Sequence, residues 1–375
     1  MSQSLTADDV ATQGQNWNAL PVLDMRSWTQ GNSQEKKQFA QQVIETCKTA
    51  GFFYLSGHSV TPEALRDVYA ASEDFHQQTE DFKSQYHIAD SRHHRGWVPT
   101  SEVGEFQKNG DHHKVFYESF DLSFEVAADD HRTHQGYGLV GPNIWPELTS
   151  FQSRVAGYYD AVYSLGRELL SVFESGLGMA QGTLLKHVTA PPSQLRLLQL
   201  RLLKYFENDA PADRLNHGID AHSDFECLTI LHATDPGLQL LSANDHWVET
   251  PPIESCFTIL VGDCIEAWTG GDLKATQHRV VNRGAERFSL PFFFSADYDC
   301  EIKPQPPFDT AEAMAAYPTF KAGEHLWSRT ITNFPYLRKL VEQGHLVVDF
   351  EVTEESPFKR LSLEEKALLE HTAQT

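Results

Sequence analysis

Cysteine is scarce and scattered: Cys47, Cys227, Cys256, Cys264 and Cys300 are odd in number and lack paired spacing. That excludes a disulfide framework and a zinc ribbon, which both need cysteines in repeated short-range pairs. Basic residues are also few, 30 Lys and Arg against 52 Asp and Glu, for a formal net charge of −22. A general nucleic-acid binder needs a basic footprint, so that class is excluded. A small-molecule ligand of either sign is not, because a local pocket can oppose the global charge. No run approaches the ~20 apolar residues that span a bilayer. The opening Met1-Ser2-Gln3-Ser4 is polar, unlike a signal-peptide core. The expectation is a chain without a membrane partner, in the reducing cytoplasm. Internal repeats and low-complexity tracts are absent as well.

What is there is a chain of 375 residues, 40% hydrophobic and 11% aromatic, enough for a substantial core. Residues 1–19 read as a flexible arm. From 20 to 190 helical periodicity dominates. Residues 35–50 place Phe39, Val43, Ile44 and Cys47 on one face, Pro62 opens a second helix, and 148–177 carry the longest apolar stripe. From 191 to 300 the pattern turns to short strands at 195–205, 222–232, 238–241, 257–261, 277–282 and 288–294, punctuated by Gly, Pro, Asn and Asp. Many short strands in close succession predict an α+β chain with a two-sheet jelly-roll core able to enclose a ligand. Residues 301–375 return to helix at 311–316, 325–343 and 363–371, an extension placed to cover the barrel.

The strand-rich block carries His222-Ser223-Asp224, then His278, then Arg287-Phe288-Ser289. Two imidazoles and one carboxylate suit a non-haem Fe(II) centre with one open face. On an extended strand, residues two apart point the same way, so His222 and Asp224 can grip one ion while His278 arrives from a neighbouring strand. Arg287 and Ser289 repeat that spacing, which suits a guanidinium and a hydroxyl closing on one carboxylate. Each element alone is weak, since the chain has 18 histidines and an isolated Arg-x-Ser is uninformative. Yet His222 is the only histidine followed two positions later by Asp or Glu.

Further motifs fall in a fixed order around these: Gly51-Phe52-Phe53-Tyr54, Arg95-Gly96-Trp97, Gly237-Leu238-Gln239, Gly262-Asp263 and Glu266-Ala267-Trp268. Over most of its length the chain resembles the isopenicillin N synthase-like family of Fe(II)/2-oxoglutarate-dependent dioxygenases. The resemblance implies a double-stranded β-helix (jelly-roll) core flanked by N-terminal and C-terminal helices. It implies Fe(II) held by His222, Asp224 and His278, with 2-oxoglutarate and O2 as cosubstrates. Arg287 and Ser289 would take the distal carboxylate of 2-oxoglutarate. Tyr205 would add its hydroxyl there, or serve as a sheet-packing aromatic.

The implied reaction oxidises an unactivated C–H bond of a small-molecule substrate, amino-acid-like or from secondary metabolism. It yields an alcohol, succinate and CO2. Desaturation, oxidative ring closure and a 2-oxoglutarate-independent iron oxidase are the alternatives. So is a catalytically silent jelly roll, which the intact ligand triad argues against. Asp224 disfavours halogenation, because halogenating relatives have a small residue there. Glu226 is expected on the same strand face as the iron ligands, meeting substrate or turned to solvent. Arg95 would pair with a substrate carboxylate or lie exposed. His93, His94, His112 and His113 read as solvated loop residues. A monomer or weak homo-oligomer is expected.

Overall fold

A computed structural model describes residues 20–103, 117–134, 138–188, 196–206, 217–241, 246–281 and 285–358. Its strands are, in chain order, β1 (Val22–Asp24), β2 (Phe52–Ser56), β3 (Gly96–Val98), β4 (Tyr117–Ser123), β5 (Arg196–Tyr205), β6 (His217–His222) and β7 (Leu228–Ala233). They continue with β8 (Leu238–Leu241), β9 (Trp247–Glu249), β10 (Phe257–Val261), β11 (His278–Val281), β12 (Arg287–Asp297), β13 (Glu301–Ile302) and β14 (Phe320–Lys321). The helices are α1 (Arg26–Thr29), α2 (Ser33–Ala50), α3 (Pro62–His76), α4 (Glu80–Lys83) and α5 (Phe151–Gly176). Beyond them lie α6 (Asp263–Trp268), α7 (Ala311–Ala316), α8 (Ala322–Asn333) and α9 (Pro335–Glu342).

The period-two alternation of the central strands sorts side chains into two compartments. On β5, Leu200 and Leu202 join one apolar cluster while Leu203 and Tyr205 join the other. On β12, Leu290, Phe292 and Phe294 join the first cluster, and Arg287, Ser289 and Phe293 face a cavity on the opposite side. The first cluster is completed by α2, α3 and α5, through residues such as Phe39, Val68, Phe75 and Leu165. The larger sheet runs β1-β2-β10-β7-β12-β5-β4-β3, and the smaller runs β6-β11-β8-β9. Together they form the jelly roll, with the cavity between them. β1 to β4 come from residues before 190, so the large sheet extends across the boundary drawn at 191.

Local chemistry sets most element ends. Asn32 caps α2 with a capping box closed by Glu35, and Gly51 ends that helix at φ 82°. Thr61 caps α3, and Pro62 occupies its first turn. Two expected elements are divided. The run 222–232 is not one strand: β6 ends at His222 and β7 begins at Leu228, in different sheets. The helix expected over 325–343 is cut at Pro335, whose ring holds Phe334 extended at φ −106°, ψ 119°. The arm 1–19, the helix expected at 363–371, and His112 and His113 lie outside the described residues. Among the described residues no helix is long and apolar enough to cross a membrane.

Candidate metal centre and cavity

Three side chains converge where β6, β11 and the turn after β6 meet. His278 on β11 sits directly opposite His222 on β6. The Nε2 atoms of both lie 3.6 Å from Asp224 Oδ1. One ligand atom from each residue falls within 4.8 Å of the others, a spacing that one metal ion can bridge. Each imidazole donates from Nδ1 to a main-chain carbonyl, His222 to Asp220 at 2.7 Å and His278 to Thr276 at 3.0 Å. Those bonds fix the tautomer and turn both Nε2 lone pairs toward Asp224. Burial, then the neighbouring His278, pulls the His222 imidazole down to about 4, so it is neutral and able to ligate at neutral pH. The donor set and its orientation fit Fe(II).

Asp224 is not on a strand. It lies in the turn 223–227 between β6 and β7, and its Oδ1 comes within 3.6 Å of His222 Nε2 from there. The start of α6 grips this turn: Asp263 N–H donates to Asp224 O at 2.9 Å, and Cys264 N–H to Glu226 O at 3.0 Å. A Cβ on Gly262 would stand 2.3 Å from Glu226 O, so only glycine allows that approach. Ser223 donates its hydroxyl to Asp263, whose other oxygen meets His325 Nε2 of α8 at 3.2 Å. Thr229 donates its hydroxyl to Asp224 Oδ2, leaving Oδ1 toward the histidines. Thr229→Val is therefore expected to weaken Fe(II) binding about 10–100-fold while the fold persists, as read by anaerobic metal titration and circular dichroism.

Beside the triad, Arg287 and Ser289 face the cavity from β12. Both are buried. Arg287 donates from Nε to Asp235 O at 2.9 Å, but its buried Nη1 has no hydrogen-bond partner among the described residues. A buried guanidinium N–H left unpaired is costly, and a ligand carboxylate would satisfy it. Tyr205 is paired with Arg287 across β5 and β12, with the guanidinium carbon 4.7 Å from its ring centre. It is a sheet aromatic and a cavity wall at once.

The remaining wall differs from expectation. Arg95 is 1% exposed and does not line the cavity. Its guanidinium donates to the carbonyls of His93, His94 and Leu139, so it knits the 91–103 segment to residue 139 and is not placed to meet a ligand. Glu226 does line the cavity, carried there by the turn and not by strand alternation. Burial, then the carboxylates of Asp224 and Asp263, push its carboxyl up to about 8, so it carries a proton at neutral pH. His94, expected in solvent, is 1% exposed and lines the cavity.

Arg201, Arg329 and Asn333 also line it, and the sequence reading missed all three. Arg201 was legible in principle, since it shares the strand parity of Leu203 and Tyr205. Arg329 and Asn333 are four apart on α8, so helical periodicity puts them on one face but does not say what that face covers.

A family model described as the 2OG-Fe(II) oxygenase superfamily matches residues 198–296. A second, described as non-haem dioxygenase in morphine synthesis N-terminal, matches residues 20–148. The chain is 31% identical over 307 residues to the 2-oxoglutarate-dependent dioxygenase caaD of Aspergillus niger, covering 78% of this chain and 88% of that protein. It is 25% identical over 340 residues to the homoarginine-6-hydroxylase 2-ODD-233 of Oryza sativa subsp. japonica, covering 86% and 99%. A solved 2OG-Fe(II) oxygenase family protein from Caulobacter crescentus is similar at TM-score 0.70 and 25% identity, over 83% of this chain and 98% of that one. A full-length Neurospora crassa protein, solved in complex with alpha-KG, is similar at TM-score 0.68 and 20% identity, over 88% and 99%.

Proposed function

Because this chain belongs to the 2OG-Fe(II) oxygenase superfamily, we propose that His222, Asp224 and His278 hold its Fe(II), and that Arg287 and Ser289 hold the distal carboxylate of 2-oxoglutarate. The enzyme is an Fe(II)- and 2-oxoglutarate-dependent dioxygenase. The proposed reaction hydroxylates a C–H bond of a small organic molecule, with O2 consumed and 2-oxoglutarate leaving as succinate and CO2. The observation that carries this reading is the meeting of three ligand atoms within 4.8 Å in one cavity with a buried guanidinium whose Nη1 is unpaired among the described residues.

Bound Fe(II), with 2-oxoglutarate and O2, supplies the oxidising power. The protein supplies position. The paired carbonyls of Asp220 and Thr276 orient the imidazoles, and Thr229 orients the carboxylate. Arg287 fixes the cosubstrate from the far end, with Tyr205 forming the wall alongside. Glu226 faces the cavity beside the triad, where its carboxyl can hydrogen-bond a polar group of the substrate. The apolar side chains Leu231, Leu238, Leu260 and Val280 keep water away from the reacting atoms.

The deciding experiment measures succinate release from 2-oxoglutarate with Fe(II) under air, in the wild type and in Arg287→Met. The wild type should turn over slowly even without substrate. The variant should bind 2-oxoglutarate more weakly by about 2–5 kcal/mol, roughly 30-fold or more in Kd, because one partner of a desolvated charge pair is gone. Unchanged 2-oxoglutarate affinity in Arg287→Met would remove the assignment.

A further inference from the structure

We propose that Arg201 and His94 form a second anion-binding subsite in the cavity, which holds a carboxylate of the organic substrate. This rests on the reading of the cavity as a 2-oxoglutarate-dependent active site, and it names the substrate class: an organic acid with an apolar body.

Arg201 is presented like a fixed tool. It lies directly opposite Asp121 across β4 and β5. Its Nε and Nη2 donate to that fully buried carboxylate at 3.0 and 2.8 Å. Its Nη1 makes no hydrogen bond among the described residues, and the side chain is 18% exposed along the cavity. The guanidinium carbon is 5.9 Å from the Phe293 ring centre and 5.8 Å from that of Phe334. One edge of the cation is thus spent on holding it still, and the other is left open. Aromatic faces on such a cation limit its movement without neutralising it.

His94 stands beside it. Its ring centre is 4.4 Å from that of Phe334, the ring that also meets Arg201. Its backbone is left-handed at φ 56°, a strained conformation for a residue with a Cβ. Tyr336 Oη holds Nδ1 at 2.7 Å, while Nε2 has no hydrogen-bond partner among the described residues. Burial, then the charges of Arg201 and Arg95, keep the ring neutral. Nε2 is the ring nitrogen left for a ligand, and it presents an N–H to a carboxylate when Tyr336 donates to Nδ1. Strain, burial and an unused polar atom thus coincide on a residue of the cavity wall.

Strand geometry separates this subsite from the one for the cosubstrate. Residues 201, 203 and 205 share one face of β5, and Tyr205 packs on Arg287. Four residues of strand span about 13 Å. The proposed 2-oxoglutarate pose uses one carboxylate at Arg287 and the other at the metal, so neither is left for Arg201. A different anion must be the partner.

The test uses the full chain, loaded anaerobically with Fe(II) and 2-oxoglutarate. Benzoate, cinnamate and 2-naphthoate, each with its primary amide, are titrated in by calorimetry. At least one acid should bind about tenfold or more tighter than its amide, as expected for a charge-assisted pair. Arg201→Lys keeps a cation against Asp121 but has no second edge to offer. It should lose that preference while 2-oxoglutarate affinity stays within about twofold. His94→Phe should weaken the acid by a smaller factor and leave the amide unchanged. Acids that fail to bind, acids that bind no better than amides, or a preference that survives in Arg201→Lys would each overturn the proposal. Failure of the underlying reading registers separately, as wild-type protein that takes up neither Fe(II) nor 2-oxoglutarate before any probe is added.

Discussion

Asp224→Ala should lower 2-oxoglutarate turnover by about 10³-fold or more, equivalent to at least about 4 kcal/mol of transition-state stabilisation. Asp224 is the one anionic member of the triad, and its Oδ1 lies 3.6 Å from both Nε2 atoms. Without it, two neutral imidazoles face a dication with no compensating charge. The metal-free variant should fold as well as the wild type or better, because a carboxylate buried without its cation costs free energy. The difference appears on adding metal. Fe(II) at about 100 times its Kd stabilises a protein that binds it by about 2.7 kcal/mol, and the variant should show no such gain. Succinate release, iron stoichiometry and anaerobic thermal unfolding with and without Fe(II) measure the three parts. Stoichiometric iron together with preserved turnover in Asp224→Ala would show that the ion sits elsewhere.

The second large effect is on stability. Glu118 on β4 is buried and gathers two donors from separate elements, with an imidazole beside them. Lys83 Nζ reaches both its oxygens, at 2.8 and 2.7 Å; Trp97 Nε1 donates at 2.7 Å; His76 Nδ1 lies 3.2 Å away. His76 also donates from Nε2 to Leu202 O at 3.2 Å, which ties α3 to the sheet. Glu118→Leu should destabilise the fold by about 3–5 kcal/mol, since it strands a buried ammonium and leaves the Trp97 indole N–H unpaired. Burial alone would raise the Glu118 carboxyl, but His76, then Lys83 and Trp97, hold it down to about 2. A carboxyl depressed on folding stabilises the native state fully above its ordinary range and loses that contribution as pH falls toward its folded value. The gap between wild type and Glu118→Leu should accordingly be widest near neutral pH and narrow from about pH 4 down to about pH 2. Urea unfolding at several pH values reads this directly, and a gap that widened on acidification would contradict the network.

The sequence displayed the proposed metal ligands and the Arg-x-Ser pair because residue type and spacing carry that information. It misreported the local reason. His222 and Asp224 look like alternate positions on one strand, yet a turn gripped by α6 separates them from β7, and only the long-range approach of Gly262 makes that turn possible. Glu226 reached the cavity by the same turn. Arg95 and His94 were indistinguishable as loop residues. Their fates diverged because one guanidinium could satisfy three carbonyls while the adjacent imidazole found Tyr336, 242 positions away. Arg201 had the right parity on β5, but its partner Asp121 belongs to a different strand. Pairing across a sheet is what a linear pattern conceals. Pro335 was visible as a helix breaker, and the periodicity on either side of it overrode the signal.

The tight approach at residue 262 also bears on how this chain can change over time. Every substitution there adds a carbon where the carbonyl of Glu226 already stands 2.3 Å away, and that carbonyl belongs to the same turn that carries Asp224. Mutational drift can reshape Arg329 or Asn333 and thereby alter what enters, but that single position is closed to it.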